Sequence, residues 1–181
     1  HVLVIEYCEY TSIHHLITRG HSMTNDAVTL EVGQKAPDFE AEITNGEKIK
    51  LSDVLSSGQK VILYFYPKDS TPGCTVQACD FRDNYSILQD AGFKVIGVSK
   101  DSSKSHQKFI DKHDLPFDLI VDSEIELHQL YGVWREKMNY GKTYMGTSRS
   151  TFVIDTDGNL ISVAYNVRAS GHVERLLKEL V

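Results

Sequence analysis

Residues 60–79 read KVILYFYPKDSTPGCTVQAC, and the change of period inside this stretch decides the architecture. Lys60–Tyr66 is a run of β-branched and aromatic residues with no polar alternation after Lys60. Such a run suits a strand covered on both faces rather than one with a wet side. Pro67 ends it. From Thr71 onward the apolar residues recur at helical spacing: Ala78, Phe81, Tyr85 and Leu88 fall at i, i+3, i+7 and i+10, one stripe of a single long helix. Thr71 suits the N-cap and Pro72 the first helical position, so Cys74 falls near the third residue of the helix. Gly92 is a fitting stop, and Phe93–Ser99 (FKVIGVS) repeats the buried-strand pattern. Strand, helix and strand joined by short links favour a parallel pair with a right-handed crossover.

Upstream, Phe39–Ile43 and Lys48–Leu51 flank Thr44-Asn45-Gly46-Glu47, where Asn-Gly predicts a hairpin. Ser52 is placed to cap a short helix through Leu55. Downstream, Ser102 or Ser103 caps a helix running to about His113, with Pro116 after its end. Phe117–Val121 reads as a strand and Ile125–Tyr131 as a short helix. Thr151–Asp155 and Leu160–Tyr165 read as strands joined at Thr156-Asp157-Gly158-Asn159, and Val173, Leu176, Leu177 and Leu180 mark a terminal amphipathic helix. Trp134, Tyr131, Tyr140 and Tyr144 are expected to pack around a loop over the core. His106 and His113 read as partly packed helix residues, while His128 and His172 have no partner that the sequence can name. The order predicts an α/β fold, a mixed central sheet flanked by helices with an N-terminal β-hairpin, compatible with a thioredoxin-like arrangement.

The chain has 181 residues, enough for one domain with a sizeable core. Nineteen basic against 25 acidic residues give a net charge of −6. No basic run offers a footprint for a nucleic-acid backbone. No apolar stretch approaches the ~20 residues that span a bilayer. Residues 1–22 hold Cys8 and half of the eight histidines, His1, His14, His15 and His21. They are read as a leader or disordered extension outside a functional domain of residues 23–181. His14 and His15 are adjacent and cannot share one helix face, which speaks against a metal site there, and Cys8 is set aside as a surface thiol. Val2–Ile5 is too short for the apolar core of a secretory signal, so the expected location is cytoplasmic.

Cys74 lies beyond the carboxyl end of a core strand, where α/β sheets bind ligands. The free N–H groups of a first helical turn and the helix dipole favour an anion there. The sulfur is therefore expected to be partly exposed and to ionise more readily than a free cysteine, whose thiol titrates at about 8.5. Cys79 follows five positions later. In an intact helix the two Cα atoms would stand ~8.6 Å apart and point ~140° away from each other, beyond the roughly 7 Å a disulfide tolerates. If the two pair, the first turns must unwind. Five-residue spacing also argues against a C-x-x-C redox pair, and no histidine follows at the spacing of a zinc finger.

At these residues the chain resembles the peroxiredoxins, in particular the bacterioferritin comigratory protein or Q-type branch. Pro67, Thr71 and Cys74 fill the family hallmark Pro-x-x-x-Thr-x-x-Cys, and Cys79 matches the second cysteine of the branch. Arg149, in Thr147-Ser148-Arg149-Ser150-Thr151-Phe152, resembles the arginine that precedes a late core strand, and Lys35-Ala36-Pro37-Asp38-Phe39 is similar to the family's opening. Taken singly, Thr71 is most often a cap, Pro67 a strand terminator and Arg149 a surface residue; their joint spacing reverses that balance. The likeness runs from about Val32 to Leu180.

The resemblance implies a peroxidase acting on hydrogen peroxide and organic hydroperoxides, serving antioxidant defence. Cys74 would form the sulfenic acid and Cys79 would resolve it as a disulfide. Thr71, Arg149 and Pro67 would shape and charge the pocket. Thioredoxin or a glutaredoxin would recycle the enzyme. A monomer is expected, with no metal, no organic cofactor, no nucleic acid and no membrane. A thiol–disulfide oxidoreductase and a non-enzymatic redox sensor are the alternatives on the same fold.

Overall fold

The computed structural model describes residues 27–181. The reading of residues 1–22, with Cys8 and the four histidines, lies outside the described residues. In chain order, β1 (Glu40–Glu42) and β2 (Lys48–Lys50) form the expected antiparallel hairpin, with Gly46 at φ +83° in the turn. Then comes α1 (Leu51–Ser56), which Ser52 does not cap. The helix starts one residue earlier, and the Ser52 N–H donates to the Asp38 carboxylate at 2.9 Å, so an acid from the lead-in replaces the expected hydroxyl.

β3 (Lys60–Phe65) is followed by α2 (Pro72–Asp83) and α3 (Tyr85–Asp90). The single long helix expected here is two. Asn84 leaves the helical region at φ −108°, ψ 8°, and its side-chain amide donates to the Asp80 carbonyl at 2.8 Å. A side chain bonded to the backbone four residues earlier competes with the helical ladder. The apolar stripe survives the break, since Ala78, Phe81 and Leu88 are all buried. β4 (Phe93–Ser99) and α4 (Ser103–His113) follow, and Ser102 caps α4 by accepting from the Ser105 N–H at 3.2 Å.

The second half comprises β5 (Asp118–Val121), α5 (Glu126–Leu130), β6 (Trp134–Asn139), β7 (Lys142–Thr147), β8 (Ser150–Ile154), β9 (Leu160–Ala164) and α6 (His172–Leu180). β6 and β7 replace the expected loop with a second hairpin. Tyr140 at φ +49° and Gly141 at φ +76° form its turn, the two positive values that suit the twist of a two-residue hairpin. The four aromatics expected to cluster there part company: Tyr131 is core, Trp134 is half-buried, and Tyr140 and Tyr144 face solvent.

The main sheet runs β5-β4-β3-β8-β9. β3, β4 and β5 are parallel; β8 and β9 join antiparallel. β3 is central, and its side chains alternate between two buried layers. Val61, Leu63 and Phe65 meet Leu51, Leu55, Leu127 and Phe152 on the face covered by α1 and α5. Ile62 and Tyr64 meet Ala78, Phe81, Leu88, Phe109 and Val173 on the face covered by α2, α3, α4 and α6. Burial on both faces explains why the strand has no polar alternation. Among the described residues no helix is long and apolar enough to cross a membrane.

Candidate active site

The site forms where β3 ends and α2 begins, and the loop between them is anchored from below. Tyr66 Oη donates to Asp69 Oδ1 at 2.6 Å, Ser105 Oγ donates to Asp69 Oδ2 at 2.8 Å, and the Asp69 N–H donates to Asp101 Oδ2 at 2.9 Å. His106, on α4, meets Asp69 Oδ2 through Nδ1 at 2.7 Å and the Ile120 carbonyl through Nε2 at 2.8 Å. His106 is thus fully buried, deeper than the partial packing its helix position suggests. A buried carboxylate with every oxygen paired is costly to disturb, so the segment from Pro67 to Thr71 has a fixed course. Pro67 is half-buried at its head.

Thr71 sits at the N-cap of α2 with φ −85° and ψ 155°, yet its side chain does not cap. The hydroxyl donates to the Lys68 carbonyl at 2.7 Å instead. That bond spends the proton and leaves the oxygen lone pairs as acceptors. The Thr75 N–H bonds the Thr71 carbonyl at 2.9 Å, which leaves the N–H groups of Gly73 and Cys74 in the unpaired first turn.

Cys74 is the third residue of α2 and is 1% exposed, not partly exposed as expected. It faces the sheet, packed with Ile62, Tyr64 and Ala78. From the other side Arg149 Nη2 approaches the sulfur at 3.4 Å. Register explains how a residue 75 positions away arrives there. β8 pairs antiparallel with β3, Ser150 against Phe65, so the residue before β8 lies beside the carboxyl end of β3. Gly73 makes room, since a Cβ there would stand 3.3 Å from Arg149 Nη2 and 3.6 Å from the Ala169 Cβ.

One residue of this site carried no expectation. Gln77, fully buried, holds Arg149 Nη1 through its Oε1 at 2.6 Å. It lies one turn after Cys74, on the same helix face, and that i, i+3 spacing was its only signal in the sequence. Tyr64 is a second buried neighbour. Its hydroxyl has no hydrogen-bond partner among the described residues, and burial first, then the Cys74 sulfur, holds the phenol well above its ordinary range. Cys79 is half-buried in the same helix, and both cysteines are free thiols.

The two histidines without expected partners have them. His128 Nδ1 meets Asp122 at 2.5 Å and its Nε2 meets Thr147 Oγ1 at 2.9 Å. Two backbone N–H groups also donate to the Asp122 carboxylate, and with His128 they hold it below the usual range against the opposing effect of burial. His172 Nε2 meets Thr151 Oγ1 at 2.8 Å. Burial, with the charges of Arg175 and Arg149, brings its imidazole down to about 4.

The fold and this cysteine–arginine pair can be set beside known proteins. The AhpC/TSA family model matches residues 32–163. The chain belongs to the AhpC/TSA family of peroxiredoxins. Peroxiredoxin Bcp of Bacillus subtilis is 50% identical over 153 residues, covering 84% of this chain and 96% of the relative. Peroxiredoxin Bcp of Escherichia coli is 42% identical over 151 residues, covering 83% and 96%. Among solved structures, Xanthomonas campestris peroxiredoxin Q superposes with a TM-score of 0.75 at 36% identity, covering 86% of this chain and 96% of that one. A cysteine-to-serine mutant of Xylella fastidiosa PrxQ gives 0.78 at 30% identity, covering 84% and 96%. This peroxiredoxin has the thioredoxin-like fold of these neighbours, and its activity is thiol-dependent reduction of hydroperoxides.

Proposed function

We propose that Cys74 is the thiolate this peroxiredoxin presents to peroxide, with Arg149 and the first turn of α2 as its electrostatic support. The observation that carries this reading is the 3.4 Å approach of Arg149 Nη2 to the Cys74 sulfur at the N-terminus of a twelve-residue helix. A guanidinium stays cationic at any working pH and favours the ionised sulfur. The thiolate attacks one peroxide oxygen; the O–O bond breaks, the S–O bond forms, and the departing alkoxide or hydroxide takes a proton to leave as alcohol or water. Sulfur is oxidised to sulfenic acid and the peroxide is reduced. Arg149 and the N–H groups of Gly73 and Cys74 oppose the charge that builds on the departing oxygen. Thr71 Oγ1, whose hydroxyl proton is engaged with the Lys68 carbonyl, accepts a hydrogen bond from the peroxide and orients the substrate. Pro67 adds no N–H to the pocket rim and limits access of water.

Cys79 then attacks the sulfenic sulfur, forming a disulfide and releasing water. Both sulfurs lie on one helix, so the cycle closes within a single chain, which supports a monomeric enzyme. The disulfide, once exposed, exchanges with an external dithiol, of which thioredoxin is the proposed source. A reducing compartment such as the cytoplasm supplies it, and a disulfide there is transient and catalytic. The Xanthomonas bacterioferritin comigratory protein has been described in terms of alkyl peroxide reduction, which supports organic hydroperoxides as substrates beside hydrogen peroxide.

Peroxide-dependent NADPH oxidation with thioredoxin and its reductase tests the assignment. Cys74→Ser is expected to be inactive. Cys79→Ser is expected to consume one equivalent of peroxide and then stall with a trappable sulfenic acid. Continued turnover by Cys74→Ser would overturn the reading.

A further inference from the structure

Lys137 lies on β6, far from α2 in sequence, and it is half-buried. Its Nζ donates to the Thr147 carbonyl at 2.9 Å. To get there the side chain lies across β7 at Gly146, where an added Cβ would stand 3.2 Å from Lys137 Cδ. A side chain at 146 would crowd that path. Thr147 is also held from its side chain, by His128 Nε2, and His128 is in turn fixed by Asp122. Two residues further on is Arg149. The backbone between them is pinned as well: the Ser148 N–H bonds the Val133 carbonyl at 2.8 Å, and the Arg149 carbonyl accepts from the Val167 N–H at 2.8 Å. The second hairpin therefore acts as a bracket for the guanidinium, and Lys137 ties its side chain into that bracket.

We propose that Lys137 is a positioning residue for the peroxidase step, fastening the Thr147 carbonyl so that Arg149 meets the sulfur while contributing a second positive charge to the site. The inference rests on the assignment of Cys74 and Arg149 made above. Its electrostatic side has a separate support. The Lys137 ammonium is destabilised first by burial and next by Arg149, and is stabilised by the Cys74 sulfur, so it lies within the field of both. Lys137 thus adds positive charge to the surroundings of the Cys74 sulfur and Arg149.

The test uses the full chain and three variants: Lys137→Met, which removes charge and donor; Lys137→Gln, which keeps a donor; and Lys137→Arg, which keeps both. The quantities read are kcat/KM for hydrogen peroxide, kcat/KM for thioredoxin, and the thermal melt. A small misplacement near reacting groups costs up to about a hundredfold in rate. Lys137→Met and Lys137→Gln are expected to lose on the order of tenfold in the peroxide parameter, and Lys137→Arg to stay within about twofold of wild type. The thioredoxin parameter is expected to hold in all three. A peroxide parameter unchanged in Lys137→Met, or lost equally in Lys137→Arg, overturns the proposal, as does an equal fall in both parameters. If Lys137→Met melts early, the Gln and Arg variants decide between these outcomes. Wild type and Cys74→Ser run alongside: should the two react alike with peroxide, the underlying assignment fails rather than the role of Lys137.

Discussion

Arg149 divides its two terminal nitrogens between a sulfur and a glutamine, and that division decides how firmly it is aimed. The Gln77 oxygen takes Nη1 at 2.6 Å, a charge-assisted bond in a dry setting. Gln77→Leu preserves size and helix propensity but leaves that guanidinium edge without its acceptor. Losing such a bond is worth roughly 1.5–3 kcal/mol, so the expected effect is a fall of about ten- to a hundredfold in the rate of Cys74 oxidation, read by rapid quench with a thiol reagent. An unchanged rate would show that the packing around Gly73 alone aims the arginine. At this scale the sequence was half legible. Thr71, Cys74 and Cys79 stand in a spacing that chemistry makes conspicuous. Gln77 and Lys137 do not, because a glutamine in a helix and a lysine in a polar strand look like surface residues. Only the pairing of β8 against β3, and of β6 against β7, brings them to their partners.

The helix α2 holds both cysteines as free thiols on one intact helix, so if they pair as proposed, its opening is part of the cycle. The backbone amides of Thr75 to Cys79 are expected to be protected from hydrogen exchange in the thiol form. They should lose that protection in the disulfide form, while those of α3 and the central strands keep it. Mass spectrometry of the two forms checks this, and protection retained at Thr75–Cys79 in the disulfide would remove the unwinding step. The break at Asn84 is why α3 is expected to stay folded, since it ends the ladder that would otherwise transmit fraying. That break was hidden in the sequence because the apolar stripe keeps its phase across it. The core strands were legible for the opposite reason: burial on both faces leaves β-branched runs with no competing pattern. The β6–β7 hairpin was not. Its strands carry polar residues on both sides, and its turn is built on Tyr140-Gly141, without the Asn-Gly that marks the first hairpin.

For the whole molecule, acid sensitivity follows from His172. Its imidazole titrates near 4 in the folded chain and at about 6.5 when unfolded. Between those values the unfolded chain binds a proton that the folded chain refuses, so stability rises with pH across that window and is lost as pH falls through it. The stability lost between neutral pH and pH below both values is roughly 2–3 kcal/mol after allowing for solvent screening. Asp122 acts lower, since its depressed carboxyl gives stability that disappears only in stronger acid. Urea denaturation at pH 7 and pH 4.5 is expected to show a smaller difference for His172→Asn than for the parent; equal differences would remove His172 as the source. The same tightness bears on timing. Ends about ten residues apart in a loose chain find each other in ~10–100 ns, so sulfurs five positions apart meet almost at once when the turn lets go. With Cys74 sealed against the sheet and the preceding loop moored to His106, the slow event is the letting go. With Cys74 as the sulfur that is oxidised, as proposed, the time it waits there is the interval in which a second oxidant molecule can carry it irreversibly to the sulfinic state, and the packing of one helical turn would then set the enzyme's endurance under oxidant load.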